Sequence, residues 1–222
     1  CIRDRQYTTR LLTLLTGCPL HVEGYENLPS PTQPCVYVAN HASYLDGPFF
    51  IAALQRPFSF VAKVELAKQF IAGTFLRRIQ TDFVERFDVI KGVEDIQRIA
   101  QAANKNQSLF FFPEGTFTRT PGLSSFHLGA FLTAIEADLP IVPIAIRGTR
   151  SILRANSVRP SRGVIRIVIG KPIYLHELTK NRQHDSWRSA LLFRDAAREH
   201  ILKHCGEPNF DQAHLTSDQK EI

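Results

Sequence analysis

The apolar positions of this chain come in short, nearly unbroken runs. They are CVYVA (35–39), FSFVA (58–62), DFVE (82–85), SLFFF (108–112), IVPIAI (141–146) and VIRIVIG (164–170). A strand wetted on one side alternates apolar and polar residues. Most of these runs do not, so the pattern predicts strands of a sheet covered on both faces. Between them, apolar residues recur at intervals of three and four, the spacing of one helix face. PFFIAAL begins with Pro48, a residue favoured in a helix's first turn. VELAKQFIAGTFLRRI aligns Leu66, Phe70, Ile71 and Phe75, and KGVEDIQRIAQAANK aligns Val93, Ile96, Ile99, Ala100 and Ala103. SSFHLGAFLTAIEA, ending before Pro140, and SWRSALLFRDAAREHILKHC complete the set. Strands alternating with helices predict an α/β layered sandwich, its central sheet largely parallel or mixed and flanked by helices. There is no internal repeat and no low-complexity segment.

The 222 residues suit one such domain with a sizeable core. Residues 21–205 are expected to form it. A polar tail or linker is expected at 206–222 and an amphipathic helix within residues 1–20. In RDRQYTTRLLTLLTG, Tyr7, Leu11, Leu12, Leu14 and Leu15 share one arc, with Arg3, Arg5 and Arg10 near its edges. Such a helix either packs on its own domain or lies in a membrane interface. No stretch approaches the roughly 20 apolar residues needed to cross a bilayer. The chain lacks methionine and starts at Cys1, which reads as a domain excised from a longer protein.

Net charge is +6, which favours anionic partners without choosing among them. Nucleic acid is not expected, because the aromatics sit in the predicted strands rather than in an exposed basic stripe. The four cysteines, Cys1, Cys18, Cys35 and Cys205, are scattered without a CxxC pair. This argues against structural zinc, and Cys35, in an apolar run, is expected to be a buried free thiol; a reducing compartment is expected rather than a disulfide framework. His200 and His204 share a helix face but lack a third ligand, so no metal is expected. There is no GxSxG elbow for a serine hydrolase.

Two loops carry the candidate chemistry. In NHASYLDGP (40–48), His41 and Asp46 are five residues apart. In a continuous helix they would point roughly 140° apart. However, CVYVA reads as a strand that ends at Asn40, and Asp46 reads as the N-cap of the following helix. A turn between them folds the histidine back onto the carboxylate, in a loop beyond a strand's carboxyl end where open α/β sheets bind ligands. A carboxylate on one imidazole N–H leaves the other nitrogen to take a proton from an alcohol. Two polar residues sharing an ordinary loop would look the same. The second loop, FFFPEGTFTR (110–119), also runs from a strand into a turn. Gly115 would let the backbone approach a ligand closely, or Glu114 is simply a solvated glutamate in a turn.

Taken together, NHxSxxD followed some 70 residues later by FPEGT resembles the lysophospholipid acyltransferase family, the HX4D glycerolipid acyltransferases of the 1-acylglycerol-3-phosphate type. Asn40, His41, Ser43 and Asp46 match its first motif and Phe112 to Thr116 its third. LPIVPIAIRG (139–148) resembles its fourth, and DFVERF around Arg86 its second, though a glycine expected just upstream is missing. The resemblance implies a fatty acyl group moving from an acyl thioester, on coenzyme A or acyl carrier protein, to a lysolipid hydroxyl. It implies His41 as general base, Asp46 as its orienter, and Arg86, Glu114, Gly115, Thr116 and Arg119 as substrate-binding residues. Backbone N–H groups near Gly115 are the expected oxyanion donors. No cofactor beyond the acyl donor is implied. The implied setting is peripheral or monotopic, at a membrane surface on its cytoplasmic face.

Two positions depart from the pattern. Phe117 stands where lysophosphatidate enzymes commonly have arginine, and His127 where FKxGAF has lysine. An aromatic ring cannot replace a guanidinium fork on phosphate. Arg86, Arg119, Arg147 and Arg150 are the cations left to compensate. A non-phosphatidate lysolipid, another lipid alcohol, or water in a thioester hydrolase are therefore alternative acceptors. A lipid-binding module without catalysis is a further alternative, disfavoured by the intact His41, Asp46 and Glu114.

Overall fold

The computed structural model describes residues 17–64, 81–84, 96–101, 107–116, 120–153, 161–178 and 185–210. All six apolar runs become strands. These are β2 (Val36–Ala39), β3 (Phe58–Lys63), β4 (Asp82–Val84), β5 (Ser108–Phe111), β6 (Ile141–Arg147) and β7 (Ile165–Ile169). A seventh strand, β1 (Leu20–Glu23), precedes them. The sheet order is β1-β7-β6-β2-β5-β3-β4. Every pairing is parallel except β6 with β7.

Alternation along each strand sorts side chains into two cores, one on each face. On one face, Val36, Val38, Leu109 and Ile141 pack with Phe131 and Ala134 of α2 (Gly129–Glu136) and with Phe193, Ala197 and Ile201 of α5 (Ser186–Cys205). On the other, Tyr37, Phe60, Phe110, Ile144 and Ile146 pack with Phe49, Phe50 and Ala53 of α1 (Asp46–Ala53). The sheet is thus sandwiched as expected. Short helices α3 (Thr149–Ile152) and α4 (Leu175–Leu178) follow β6 and β7. Residues 96–101 are helical, as the KGVEDIQRIAQAANK periodicity predicts for that part.

Three local expectations change. Asp46 is the first residue of α1 rather than its cap. Leu45 holds the cap position without a side-chain bond, because the Asp46 carboxylate turns back to the preceding loop. SSFHLGAFLTAIEA is helical only from Gly129. The Ser124 and His127 N–H groups are drawn to Glu114 and to the Pro113 carbonyl instead of a helical ladder. Gly17 to Pro19 form a loop and Leu20 opens β1, so the end of the 1–20 segment is not helical. The amphipathic stretch before Gly17, the VELAKQFIAGTFLRRI helix after Val64 and the tail from Asp211 lie outside the described residues. No described helix is long and apolar enough to cross a membrane. Cys18, Cys35 and Cys205 are buried free thiols, and burial pushes the Cys35 thiol up.

The order of the strands positions the site. From β2 the chain travels to β3 on one side of the sheet. From β5, the strand beside β2, it travels to β6 on the other. The carboxyl ends of β2 and β5 therefore flank a topological switch point, where connections diverge and leave a crevice. His41 follows β2, and Glu114 follows β5.

Candidate active site

At the end of β2, side chains take over the sheet ladder from the backbone. On the β6 side, the Asn40 amide donates to the Ile146 carbonyl at 2.9 Å and accepts from the Ile146 N–H at 2.8 Å. On the β5 side, the Glu114 carboxylate accepts from the His41 N–H at 2.8 Å, standing in for a backbone carbonyl. Asn40 is buried, so the exchange leaves neither group orphaned. The chain can then leave the sheet at His41 with its backbone held from both sides.

The turn beyond it folds as the five-residue offset requires. Asp46 Oδ2 gathers three donors: the Ala42 N–H at 2.6 Å, the Ser43 N–H at 2.8 Å and His41 Nδ1 at 2.8 Å. Asp46 is 0% exposed, whereas the His41 side chain is 20% exposed. The carboxylate is thus a buried anchor, and the imidazole lies at the surface of the crevice. Ser43 ties the turn to the neighbouring loop, its Oγ donating to the Leu153 carbonyl at 3.0 Å. Among the described residues, Asp46 Oδ1 has no hydrogen-bond partner, and all three donors converge on Oδ2.

Phe112, between β5 and the FPEGT turn, stacks on the imidazole with centroids 4.2 Å apart and planes 20° from parallel. Its own position is set by the aromatic cluster of Phe50, Phe60 and Phe110. One bond to Asp46 and one ring face therefore fix the imidazole's orientation.

Glu114 is 7% exposed. One oxygen accepts from His41 N–H and the other from Ser124 N–H at 2.9 Å. Burial pushes its carboxyl above the usual range, and the two N–H bonds oppose this. Its carboxylate is a strut between two loops. Gly115 has φ of 75°, a conformation glycine adopts without penalty. Its N–H closes the turn onto the Phe112 carbonyl at 2.9 Å, so that amide is spent and is not an oxyanion donor. Thr116 is exposed at the rim. The structure thus brings His41, Asp46, Glu114, Gly115 and Thr116 to one end of the sheet. Arg86, Phe117 and Arg119 lie outside the described residues. Arg150 is ion-paired with Glu207 at 2.7 Å.

Sequence reasoning named Asn40 and Phe112 only as parts of motifs and missed Ser124 altogether. Asn40 could have been found as a polar residue directly after a four-residue buried strand. Ser124 contributes only a backbone N–H, for which the sequence carries no signal.

A family model described as Acyltransferase matches residues 19–147. The chain is 35% identical over 154 residues to a chloroplastic 1-acyl-sn-glycerol-3-phosphate acyltransferase of Brassica napus, covering 69% of this chain and 44% of that protein. It is 34% identical over 144 residues to a lyso-ornithine lipid O-acyltransferase of Pseudomonas aeruginosa, covering 64% of this chain and 54% of that one. The chain spans about half the length of the curated relatives it matches. The crystal structure of the 1-acyl-sn-glycerophosphate acyltransferase of Thermotoga maritima shares the fold, with a TM-score of 0.69 at 20% identity, over 91% of this chain and 80% of that one.

Proposed function

Because the chain belongs to the acyltransferase family, we propose that it moves a fatty acyl group from an acyl thioester to the free hydroxyl of a lysophospholipid of the 1-acylglycerol-3-phosphate kind. The observation that carries this reading is the His41–Asp46 pair, 2.8 Å apart at the switch point of the sheet. Asp46 holds Nδ1, which leaves Nε2 to take the hydroxyl proton. The alkoxide oxygen attacks the thioester carbonyl, and the tetrahedral intermediate expels the thiolate. The imidazolium returns its proton to that sulfur, which regenerates the base. No acyl-enzyme forms, in keeping with a site built on a histidine and a carboxylate.

Asp46 contributes its charge where the imidazolium develops, inside a buried turn where that charge is worth more than in water. Phe112 and the Glu114 strut keep the ring from turning away. General base catalysis of this type supplies about 10²–10⁴ in rate. Coenzyme A or acyl carrier protein delivers the acyl group. Arg86 and Arg119 are the proposed acceptor-phosphate contacts, and Thr116 the contact at the rim. The N-terminal amphipathic segment would bring the site to the membrane surface where lysolipids reside.

The similarity to a lyso-ornithine lipid acyltransferase, with Phe117 and His127 in place of cations, supports a second acceptor class without a glycerol phosphate. Crossing lysolipids with acyl-CoA and acyl-carrier-protein donors, with products read by mass spectrometry, decides between them. His41→Ala should abolish transfer in a folded protein, and unchanged turnover would overturn the base assignment. Thiol release that ignores lysolipid and yields only free fatty acid would instead mark a thioester hydrolase.

A further inference from the structure

The loop that supplies Ser124 to Glu114 is gripped from behind. Residues Gly206 to Phe210 leave α5 and run alongside it. Leu123 N–H donates to the Pro208 carbonyl at 2.8 Å and Phe210 N–H to the Leu123 carbonyl at 3.2 Å, which makes a parallel bridge between Leu123 and Asn209. Glu207 closes the grip with both oxygens. Oε2 accepts from the Gly122 N–H at 2.6 Å and Oε1 from Arg150 Nε at 2.7 Å, in α3, the short helix that follows β6. Arg198, on α5, donates to the Leu123 carbonyl at 3.1 Å and to Asn209 at 2.8 Å. Gly122 has no room for a side chain, since a Cβ would lie 2.7 Å from the Phe210 ring.

These contacts form one path. Arg150 fixes Glu207, Glu207 and the Leu123–Asn209 bridge fix residues 122–124, Ser124 N–H holds one oxygen of Glu114, and the other oxygen holds the His41 backbone. We propose that Glu207, with the strap Gly206–Phe210, is a positioning element for the general base and sets the place of His41 through Ser124 and Glu114. Glu207 touches no reacting atom. It acts from 85 residues beyond Gly122 in sequence, by keeping the Ser124 N–H aimed at Glu114. Without that hold the Ser124 N–H would lose its aim, and the carboxylate one of its two anchors. Misplacement of a catalytic group by about 1 Å can cost on the order of 10² in rate. The proposal rests on the reading of His41 as the base, so its test includes a measurement that does not depend on activity.

The experiment compares wild-type, Glu207→Ala and Glu207→Gln in the full chain. Amide hydrogen exchange is followed at His41 and Ser124, with Val36–Ala39 as internal reference. In Glu207→Ala, exchange at both sites should quicken about tenfold or more, as local opening predicts, while the reference amides stay protected. With acyl-CoA and 1-acylglycerol-3-phosphate, kcat should fall roughly tenfold or more while acceptor KM moves less than about threefold. Glu207→Gln keeps one acceptor oxygen but turns its NH₂ toward either the Gly122 or the Arg150 N–H, so both effects should fall between those of wild-type and Glu207→Ala. In a Glu114→Gln background, Glu207→Ala should add no further loss of kcat, because the path is already broken. Unchanged exchange at His41 in folded Glu207→Ala, or losses that add in the double variant, would overturn the proposal. Should Glu207→Ala not fold, Asn209→Ala loosens the same bridge from the Arg198 side, and unchanged His41 exchange there overturns it equally. A wild-type protein that transfers no acyl group to any lysolipid would count against the proposed function, and the exchange comparison would still decide the role of Glu207.

Discussion

Replacing Asp46 by asparagine tests the core of the site with the smallest change of shape. Oδ2 accepts from two backbone N–H groups and from His41 Nδ1. The amide oxygen must therefore stay at the Oδ2 position, since a flipped amide would set NH₂ against two donors. The tautomer of His41 is preserved and only the charge is lost. With about 4 Å between charge centres and an effective dielectric of about 20, a full imidazolium–carboxylate attraction is about 4 kcal/mol. The imidazolium is only part-formed in the transition state, so roughly half to all of this applies. At 1.36 kcal/mol per decade, that is a fall in kcat of about 30- to 1,000-fold. The new amide N–H groups take the place of the partnerless Oδ1 and are buried without acceptors, which costs about 1–3 kcal/mol of stability. A domain of ordinary stability, about 5–15 kcal/mol, stays folded. The assay is thiol release from acyl-CoA in the presence of lysolipid, paired with urea unfolding. A folded Asp46→Asn protein turning over within about threefold of wild-type would refute an electrostatic role for Asp46.

Glu114→Gln leaves either the His41 or the Ser124 N–H facing an NH₂ group, so about 1–3 kcal/mol of stability should be lost in urea unfolding, together with a lower kcat. Burial raises the folded-state carboxyl of Glu114 above its unfolded value, so the folded protein holds that proton more tightly. Wild-type stability should therefore fall as pH rises from the ordinary carboxylate range through the raised value, and Glu114→Gln should lack that slope. Asn40→Ala orphans the Ile146 N–H and C=O inside the sheet, and should cost about 2–5 kcal/mol in the same assay. Phe112→Ala removes the ring stacked on His41, a contact worth about 0.5–1.5 kcal/mol beyond buried area, and should lower kcat by up to about tenfold with a modest loss of stability.

β2, β5 and β6 were legible because their burial is nearly uniform. β2 is buried at all four positions, so a bare apolar run was enough to find it. β1 escaped because it is an edge strand whose side chains alternate between half-buried and exposed. His21 and Glu23 broke the run that the pattern requires. The pairing of His41 with Asp46 was legible from the strand–turn–helix punctuation, but the direction of the carboxylate was not. An aspartate at a helix start normally looks forward to the helix amides, and here the tight turn offers two nearer ones. The same competition shortened α2, whose upstream residues are held by Pro113 and Glu114. The sequence marks Glu114 as a candidate substrate contact, and the structure adds that both of its oxygens bond backbone N–H groups. Only tertiary placement reveals this, because those amides come from positions 73 and 10 residues distant.

The side-chain bonds at the end of β2 have a consequence for how such a chain can diversify. Backbone pairing is indifferent to residue identity, but the footing of His41 is spelled in particular letters: Asn40, Asp46, Phe112 and Glu114. Drift at those letters dismantles that footing. Thr116, exposed at the rim, is under no such obligation to the histidine. The molecule therefore separates a fixed anvil from an exchangeable jaw, and the jaw can vary without the anvil being recast.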